Sequence, residues 1–364
     1  MVDFNRNVHC LLGLPFDAVS LPQAARRLNH ARSSGERCFL STPNLNFVIS
    51  SLRDSNFRAS VCRSDLSLAD GMPLVWVARL LGIPVRERVS GSGVFEFLRM
   101  HSPDLWNVFF FGGQMGRGQE ACLAIGDKEE SMRPAGYIYP GFGNVEQMSR
   151  EELIDCINGS GADMLVVSLG AAKGQSWIMH NLQGLTTPVI SHLGAVVNFV
   201  AGSVSRAPGW MQHSGLEWLW RIKEEPQLFR RYFSDGLGFV RLMATQVVPL
   251  AAFQRLAAPQ ESEFKRAGIT YPSGPRTSFS RLNGAWQQDN LKPVRDEFDW
   301  LLAQGKPVSL DMSDVTWMDS AFIGLLLLLD EALQGKGARL RLVNLSFKLR
   351  ILLRLHGVRH LDVQ

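Results

Sequence analysis

Short apolar runs alternate with longer segments of mixed polarity along most of this chain. The runs at 107–113, 164–170 and 187–195 are rich in Val, Leu, Ile and Phe, and each ends in glycine or small residues. Such runs are typical of strands buried on both faces of a sheet. The segments between them have the length and polarity of helices. The pattern therefore predicts an α/β fold with a parallel sheet covered by helices on both faces.

One turn in this pattern carries a carboxylate. Asp70-Gly71 stands between a short strand predicted within 61–68 and an apolar helix predicted over 74–81. In open α/β sheets, ligands bind at the carboxyl ends of strands, which makes Asp70 a candidate for chemistry. On spacing alone the simpler interpretation is that Asp70 caps the helix and Gly71 provides the turn.

Other strand ends carry polar or glycine-rich turns. Thr42 and Asn44 follow the strand predicted from residue 38, where they either bind a ligand or form a side-chain turn that starts the next helix. Gly112-Gly113 resembles a phosphate-cradling turn, although it matches neither the dinucleotide nor the P-loop pattern. The fourth turn, 170–175, has the sequence Gly-Ala-Ala-Lys-Gly-Gln.

Arginine and tryptophan alternate over residues 206–232. Arg206, Arg221 and Arg231 have the side chain best suited to binding phosphate, but a solvated amphipathic helix explains them equally well. For the tryptophans we favour inward packing. The apolar stretch 236–253 contains Arg241 and Gln246, so we expect a buried or interfacial helix and no membrane-spanning segment.

A polar, turn-rich stretch at 257–274 predicts a linker between a first domain, 1–256, and a second, 275–364. The second domain alternates again: strands are predicted at 277–282, 307–312 and 338–343, with a turn at 283–284. Helices are predicted at 288–302, 321–333 and 346–356. These elements predict a small α/β domain.

Bulk composition narrows the class of protein. With 46% hydrophobic and 20% charged residues, the chain has the composition of a folded globular protein. A net charge of +4 suits an anionic ligand or a membrane surface and is too weak to indicate nucleic acid. The five cysteines form no C-x-x-C pair, and no signal peptide is recognisable, which predicts reduced thiols in a cytosolic protein.

Several motifs in residues 10 to about 245 resemble the WecG/TagA/CpsF glycosyltransferases. They are Thr42-Pro-Asn44, Leu68-Ala-Asp-Gly71, Arg88-Val-Ser-Gly91, Phe111-Gly-Gly113 and Gly215-Leu-Glu-Trp-Leu-Trp-Arg221 with Glu225-Pro226. The resemblance implies a Rossmann-like domain that moves a hexose from a UDP-sugar to an undecaprenyl-diphosphate-linked saccharide. It further implies inversion at the anomeric carbon without metal or cofactor, at the inner face of the cell membrane, and a possible homo-oligomer.

The same resemblance assigns roles to residues. Asp70 would be the catalytic base, with Thr42 and Asn44 beside it. No D-x-D sequence is present to hold a metal, so Arg206, Arg221 and Arg231 would bind the diphosphate. The remaining substrate-binding candidates are glycines and polar residues of the turns: Gly71, Gly112, Gly113, Gly170, Lys173 and Gln175.

Some positions depart from the family pattern. The usual Gly-x-Pro-Lys-Gln-Glu is Gly170-Ala-Ala-Lys-Gly-Gln175 here, an Asp is replaced by Asn198, and an Arg by Leu228. The donor sugar is therefore not fixed by the resemblance. The alternative function is a catalytically degenerate scaffold with a transferase fold, whose second domain recruits regulatory partners.

The second domain, 275–364, resembles a STAS domain through Leu310-Asp-Met-Ser-Asp-Val-Thr-Trp-Met-Asp-Ser320 and the leucine-rich helix after it. In many STAS domains the phosphorylated serine stands two residues after the Asp, where this chain has Ala321. The resemblance therefore implies a constitutive docking surface for a protein partner. Asp319-Ser320 is also a typical start of a helix.

Overall fold

A computed structural model of the chain describes residues 2–126, 131–202, 207–271 and 278–362. Its strands are β1 (Val8–Leu11), β2 (Leu14–Asp17), β3 (Cys38–Ser41), β4 (Leu66–Ser67), β5 (Trp106–Gly112), β6 (Met132–Ile138), β7 (Met164–Ser168), β8 (Val189–His192), β9 (Gly268–Thr270), β10 (Phe279–Trp286), β11 (Val308–Met318) and β12 (Leu340–Val343).

The first helices in chain order are α1 (Leu21–Ser34), α2 (Leu45–Ser51), α3 (Ser55–Cys62), α4 (Met72–Leu80), α5 (Gly91–His101), α6 (Arg117–Gly126), α7 (Glu151–Gly159), α8 (Ala171–Asn181) and α9 (Val196–Val200). They continue as α10 (Gly209–His213), α11 (Glu217–Glu224), α12 (Phe229–Leu242), α13 (Val248–Leu256), α14 (Glu261–Lys265), α15 (Lys292–Gln304), α16 (Ser320–Gly335) and α17 (Phe347–Leu355). Short 3-10 helices occupy Pro226–Leu228, Gln288–Asn290 and Arg359–Asp362, and Met243–Val247 is π-helical.

The chain divides into two compact units, a larger one of residues 19–75 and 86–235 and a smaller one of residues 1–18, 76–85 and 236–364. The larger unit contains a six-stranded sheet in the order β4-β3-β8-β7-β5-β6, and every neighbouring pair of strands is parallel. This confirms the α/β class. The carboxyl ends of all six strands meet at one edge of the sheet.

Two separate hydrophobic cores cover this sheet. Phe110 belongs to the core that also holds Trp106 and Val166, whereas Phe109 and Phe111 belong to the core around Trp177. Neighbouring residues of β5 therefore alternate between the two faces, as a strand requires. A sheet buried on both faces explains why its strands read as continuous apolar runs in the sequence.

The smaller unit has a sheet in the order β12-β11-β10-β9. The first three strands pair in parallel, and β9 pairs antiparallel to β10. The strands β1 and β2 form a separate antiparallel hairpin. Helix α16 is buried along nearly its whole length, with Asp319 as its N-cap, which confirms the predicted helix start.

Three local predictions differ from the structure. Within 61–68 only Leu66–Ser67 is a strand, because residues 61 and 62 finish α3. The turn predicted at Asn283-Gly284 is an irregularity inside β10, where Gly284 has a φ of 77°. The stretch 257–274, predicted as a linker, includes α14 and β9. The predicted domain limits themselves stay a prediction.

One described helical stretch, Pro226–Leu256, is long and apolar enough to span a bilayer by length and composition alone. Only 22% of its most apolar window is buried within the protein. It contains the stretch expected to be a buried or interfacial helix, and its low burial favours the interfacial alternative.

Candidate active site

Three loops run side by side at the carboxyl edge of the large sheet. β3 and β4 are parallel neighbours, so the loops that follow them are adjacent. The backbone N–H of Asp70 donates to the carbonyl of Pro43 at 2.9 Å, which joins the loop after β4 to the loop after β3. The N–H of Val89 donates to the carbonyl of Ala69 at 3.0 Å and adds the third loop.

Asp70 makes an ion pair with the third loop. Its Oδ1 accepts from both Nε and Nη2 of Arg88, each at 3.1 Å. The Asp70 side chain is 23% exposed, and its Oδ2 accepts no hydrogen bond from any residue that the structure describes. One oxygen is thus fixed by Arg88, and the other has no hydrogen-bond partner among the described residues.

The surroundings tune the acidity of Asp70. Burial raises the pKa of this carboxyl above its ordinary value, and the Arg88 guanidinium opposes that rise. Glu217 raises the pKa further and Arg221 lowers it. A carboxylate with a raised pKa is a stronger base than an ordinary surface aspartate, which suits proton abstraction near neutral pH.

The ion pair continues into a short chain of alternating charges. Arg88 Nη1 lies 2.5 Å from Oε2 of Glu217, and Arg221 Nε lies 3.7 Å from the other oxygen of Glu217. The Arg221 guanidinium stacks over the ring of Phe199 at 5.3 Å. Glu217 and Arg221 also line a shallow pocket together with Phe199 and Trp220. Asp70 does not line this pocket.

Thr42 and Asn44 lie in the loop paired with Asp70. Asn44 is the N-cap of α2, where its Oδ1 accepts from the N–H of Phe47 at 3.2 Å. Thr42 is buried, and a side chain at Gly91 would approach its methyl group to 3.2 Å. The turn interpretation therefore holds for Asn44. Both residues lie in the loop paired with Asp70, and their role in ligand binding stays a prediction.

The glycine turns differ in whether a residue with a side chain would fit. Gly112 and Gly113 have φ values of 92° and 83°, and a Cβ at Gly112 would lie 2.9 Å from the carbonyl oxygen of Ser168. Glycine is required at Gly112 by both conformation and space. Gly170 begins α8 with open space around it, and a Cβ at Gly71 would make ordinary contacts of 3.8 Å with Asn44 and Pro73.

The two polar residues of α8 make contacts within the protein. Gln175 is 1% exposed, and its amide donates to Oγ of Ser41 at 3.2 Å. Gln175 thus contacts the end of β3, its Oε1 is buried without a hydrogen-bond partner among the described residues, and its contact with substrate stays a prediction. Lys173 is exposed and donates to the carbonyl of Gly143 at 2.9 Å.

The remaining candidates are arginines of the 206–232 segment. Arg206 lies outside the described residues. Arg231 is exposed, with its guanidinium over the ring of Tyr232 at 5.1 Å. The middle of helix α12 is tied to α2 because both oxygens of Asp235 accept from Nδ2 of Asn46, each at 3.2 Å.

Sequence reasoning missed three residues of this site, Arg88, Glu217 and Asp235, whereas Asn46 is one of the polar residues expected at the end of β3. Arg88 and Glu217 stand inside motifs that carried the family resemblance, which was the available signal. Nothing in the sequence pairs Asn46 with Asp235, which lie far apart along the chain. Among the described residues, no group of three or more His, Cys, Asp and Glu side chains could hold a metal ion.

The expectation that the tryptophans pack inward is wrong for two of them. Trp210 is 65% and Trp218 is 42% exposed. Phe229 and Phe233, one turn apart on α12, are also exposed and stack on each other with ring centroids 6.3 Å apart. Trp218 lies 6.4 Å from the ring of Tyr232. We call Trp218, Phe229, Tyr232 and Phe233 the aromatic face.

The parallel sheet, with polar and glycine turns collected at its carboxyl edge, defines a Rossmann-like α/β unit. A family model described as "Glycosyl transferase WecG/TagA/CpsF family" matches residues 9–252, and the chain belongs to that family. A second family model, described as "Mlab, STAS domain", matches residues 271–363. Both family predictions are therefore confirmed.

Three curated relatives share the name N-acetylglucosaminyldiphosphoundecaprenol N-acetyl-beta-D-mannosaminyltransferase. The proteins from Bacillus spizizenii and Bacillus subtilis are each 27% identical to this chain, covering 54% of it and 75% of their own length. The protein from Staphylococcus aureus is 23% identical, covering 58% of this chain and 82% of its own length.

Proposed function

We propose that this chain is an inverting, metal-independent hexosyltransferase. It transfers a hexose from a UDP-sugar to an undecaprenyl-diphosphate-linked acceptor, at the inner face of the cell membrane, for an exopolysaccharide or another cell-surface polysaccharide. The observation that carries this proposal is the Asp70 carboxylate beside the Thr42–Asn44 loop, with one oxygen held by Arg88 and the other without a hydrogen-bond partner in the part of the chain that the structure describes.

The proposed reaction is a single in-line displacement at the anomeric carbon. The acceptor hydroxyl loses its proton to Oδ2 of Asp70 as its oxygen forms the new glycosidic bond. The bond between the anomeric carbon and the UDP oxygen breaks, and UDP leaves with the electron pair. Arg88 fixes the orientation of the base, which contributes to rate because the reacting atoms must be aligned.

Departure of UDP requires positive charge near the diphosphate. Arg221 is half-buried and partly neutralised by Glu217, so a diphosphate arriving beside it would compete for the guanidinium. The start of α8 at Gly170 supplies backbone N–H groups for the same task, whereas at the Gly112-Gly113 turn the N–H of Gly113 already donates to the carbonyl of Ser168 at 2.6 Å. We assign Arg206 and Arg231 to the same role by the family resemblance.

The names of the relatives put UDP-N-acetylmannosamine first among the donors to test, and an N-acetylglucosaminyl diphosphate lipid first among the acceptors. The full-length protein is incubated with that lipid and a panel of labelled UDP-hexoses, and label in the lipid phase is measured. We expect transfer with one donor, and free UDP in equal amount. UDP binding without transfer from any donor would support the scaffold alternative.

The aromatic face supports association with a membrane surface. Aromatic side chains favour the interface between lipid and water, and the neighbouring Arg230 and Arg231 are exposed and suited to anionic headgroups. The proposed acceptor is membrane-bound, and this segment is joined to the candidate site through Asn46 and Asp235. We therefore propose that the protein is peripheral and binds the bilayer through this segment.

Replacing both stacked phenylalanines, Phe229→Ser with Phe233→Ser, is expected to lower the partition coefficient for anionic liposomes by about 10²-fold. Each phenyl group contributes roughly 1.5–3 kcal/mol on full burial, and partial insertion gives less. Flotation with liposomes measures the bound fraction. The matched control is Phe142→Ser, because Phe142 is 99% exposed elsewhere in the larger unit. Equal flotation of all three proteins would contradict the membrane proposal.

A further inference from the structure

The N-terminal hairpin lies directly against helix α16 of the smaller unit. A Cβ built on Gly324 would lie 3.1 Å from the carbonyl oxygen of Val8 and 3.2 Å from the amide nitrogen of Cys10. The backbone of β1 therefore contacts the helix at a residue without a side chain. The backbones of Gly13, at the hairpin turn, and Gly357 also lie close together. A Cβ built on Gly13 would lie 2.9 Å from the carbonyl oxygen of Gly357.

Polar contacts join the hairpin to the start of α16. Nδ1 of His9 lies 3.0 Å from Oγ of Ser320, and Nε2 lies 3.2 Å from Oδ1 of Asn7. That same Asn7 oxygen accepts from Nε2 of Gln288 at 2.9 Å. His9 is 2% and Ser320 is 7% exposed. The hydroxyl of Ser320 is thus buried against a histidine of the hairpin.

Further anchors hold the segment that precedes the hairpin. Nη1 of Arg295, on α15, donates to the carbonyl of Arg6 at 2.8 Å and also to the carbonyl of Phe4. The ring of Phe4 meets the ring of Phe298 edge-on, with centroids 5.8 Å apart. The Phe4 ring is fully buried.

We propose that residues 4–17 are an intramolecular ligand of the STAS-like unit. They occupy the start of α16, where His9 covers the hydroxyl of Ser320. While the hairpin is bound, neither a protein partner nor a phosphoryl donor reaches Ser320. A partner that uses this face must first displace the hairpin, whereas a partner that binds alongside it must use another face.

Cys10 provides a native reporter of hairpin release. It is fully buried, its Sγ contacts the carbonyl of His356 at 3.6 Å, and burial raises the pKa of the thiol to about 12. Reaction with iodoacetamide followed by peptide mapping measures each cysteine separately. In the full chain we expect Cys10 to react at least about 10²-fold more slowly than the exposed Cys156, because a thiol reacts as its exposed thiolate.

The variant Gly324→Leu places a side chain where β1 lies, and we expect it to speed Cys10 labelling by at least about 10-fold, an increase that corresponds to roughly 1.4 kcal/mol. Cys38, buried in the larger unit, should keep its wild-type rate. The control Gly335→Ala adds a methyl group to the same helix where nothing lies within 4 Å, and should leave Cys10 protected.

A second variant keeps the test decisive if Gly324→Leu does not fold. Arg295→Gln removes the two bonds to the hairpin segment from a partly buried position, and should raise Cys10 labelling several-fold without affecting Cys38. Cys10 labelling as fast as that of Cys156 in the wild-type chain would overturn the proposal. Unchanged protection in a folded Gly324→Leu protein would do the same.

Discussion

Transfer by an Asp70→Asn variant is expected to be slower than wild-type transfer by a factor of about 10² to 10⁴, the usual contribution of a general base. The amide keeps the size of the side chain, and its oxygen can still accept from Arg88. It cannot take a proton from the acceptor hydroxyl. The loss should therefore fall on kcat, with the affinity for UDP unchanged.

Labelled lipid product formed per unit time measures the rate, with the donor identified by the panel. The matched control is Asp104→Asn, a surface carboxylate of the larger unit that lies 3.3 Å from Arg32 and is 54% exposed. That variant should transfer at the wild-type rate. Full activity of Asp70→Asn, with a wild-type melting curve, would remove Asp70 as the base and with it the central element of the proposed mechanism.

The parallel sheet could be predicted because burial of its strands on both faces requires apolar residues at nearly every position. A strand covered on both faces has few polar positions, as in the run from Val108 to Phe111, and the turn that follows must contain Gly112 for steric reasons. The carboxyl edge of such a sheet is fixed by topology, so the proximity of the Asp70 and Thr42 loops was also accessible.

The charged side chains around Asp70 could not be predicted from the sequence. Arg88 and Glu217 are 129 positions apart along the chain, and only the folded loops bring them together at 2.5 Å. The direction of the Gln175 side chain could not be predicted either. Its residue type suggested a substrate contact, but its position on α8 directs its amide towards Ser41. A one-residue difference in position around a helix changes the direction of a side chain by about 100°.

The hairpin was invisible to sequence analysis for a related reason. An isolated hairpin has no periodicity that identifies the surface covering it. The residue that it contacts, Gly324, lies more than 300 residues later in a leucine-rich helix. A glycine there indicates only a lower helix propensity. Close approach of backbone to backbone leaves no apolar pattern in either segment.

The buried ion pair inside the hairpin segment leads to the largest stability change that we expect. Arg6 and Asp17 form two parallel bonds, from Nε to Oδ1 at 3.0 Å and from Nη2 to Oδ2 at 2.6 Å. Their side chains are 2% and 1% exposed. Asp17→Ala would leave the guanidinium buried without its carboxylate, which destabilises a fold by about 3–5 kcal/mol.

The loss of stability is measured by urea unfolding of the full chain. Hydrogen exchange of peptides from the smaller unit reports the unfolding. Asp296→Ala is the control, since Asp296 pairs with Lys292 at the surface and is 63% exposed, and its loss should change stability by less than about 1 kcal/mol. Combining Asp17→Ala with Arg6→Met should recover part of the loss, because no unpaired charge then remains buried. Asp17→Ala as mild as Asp296→Ala would mean that solvent reaches Arg6 and that the hairpin is loosely held.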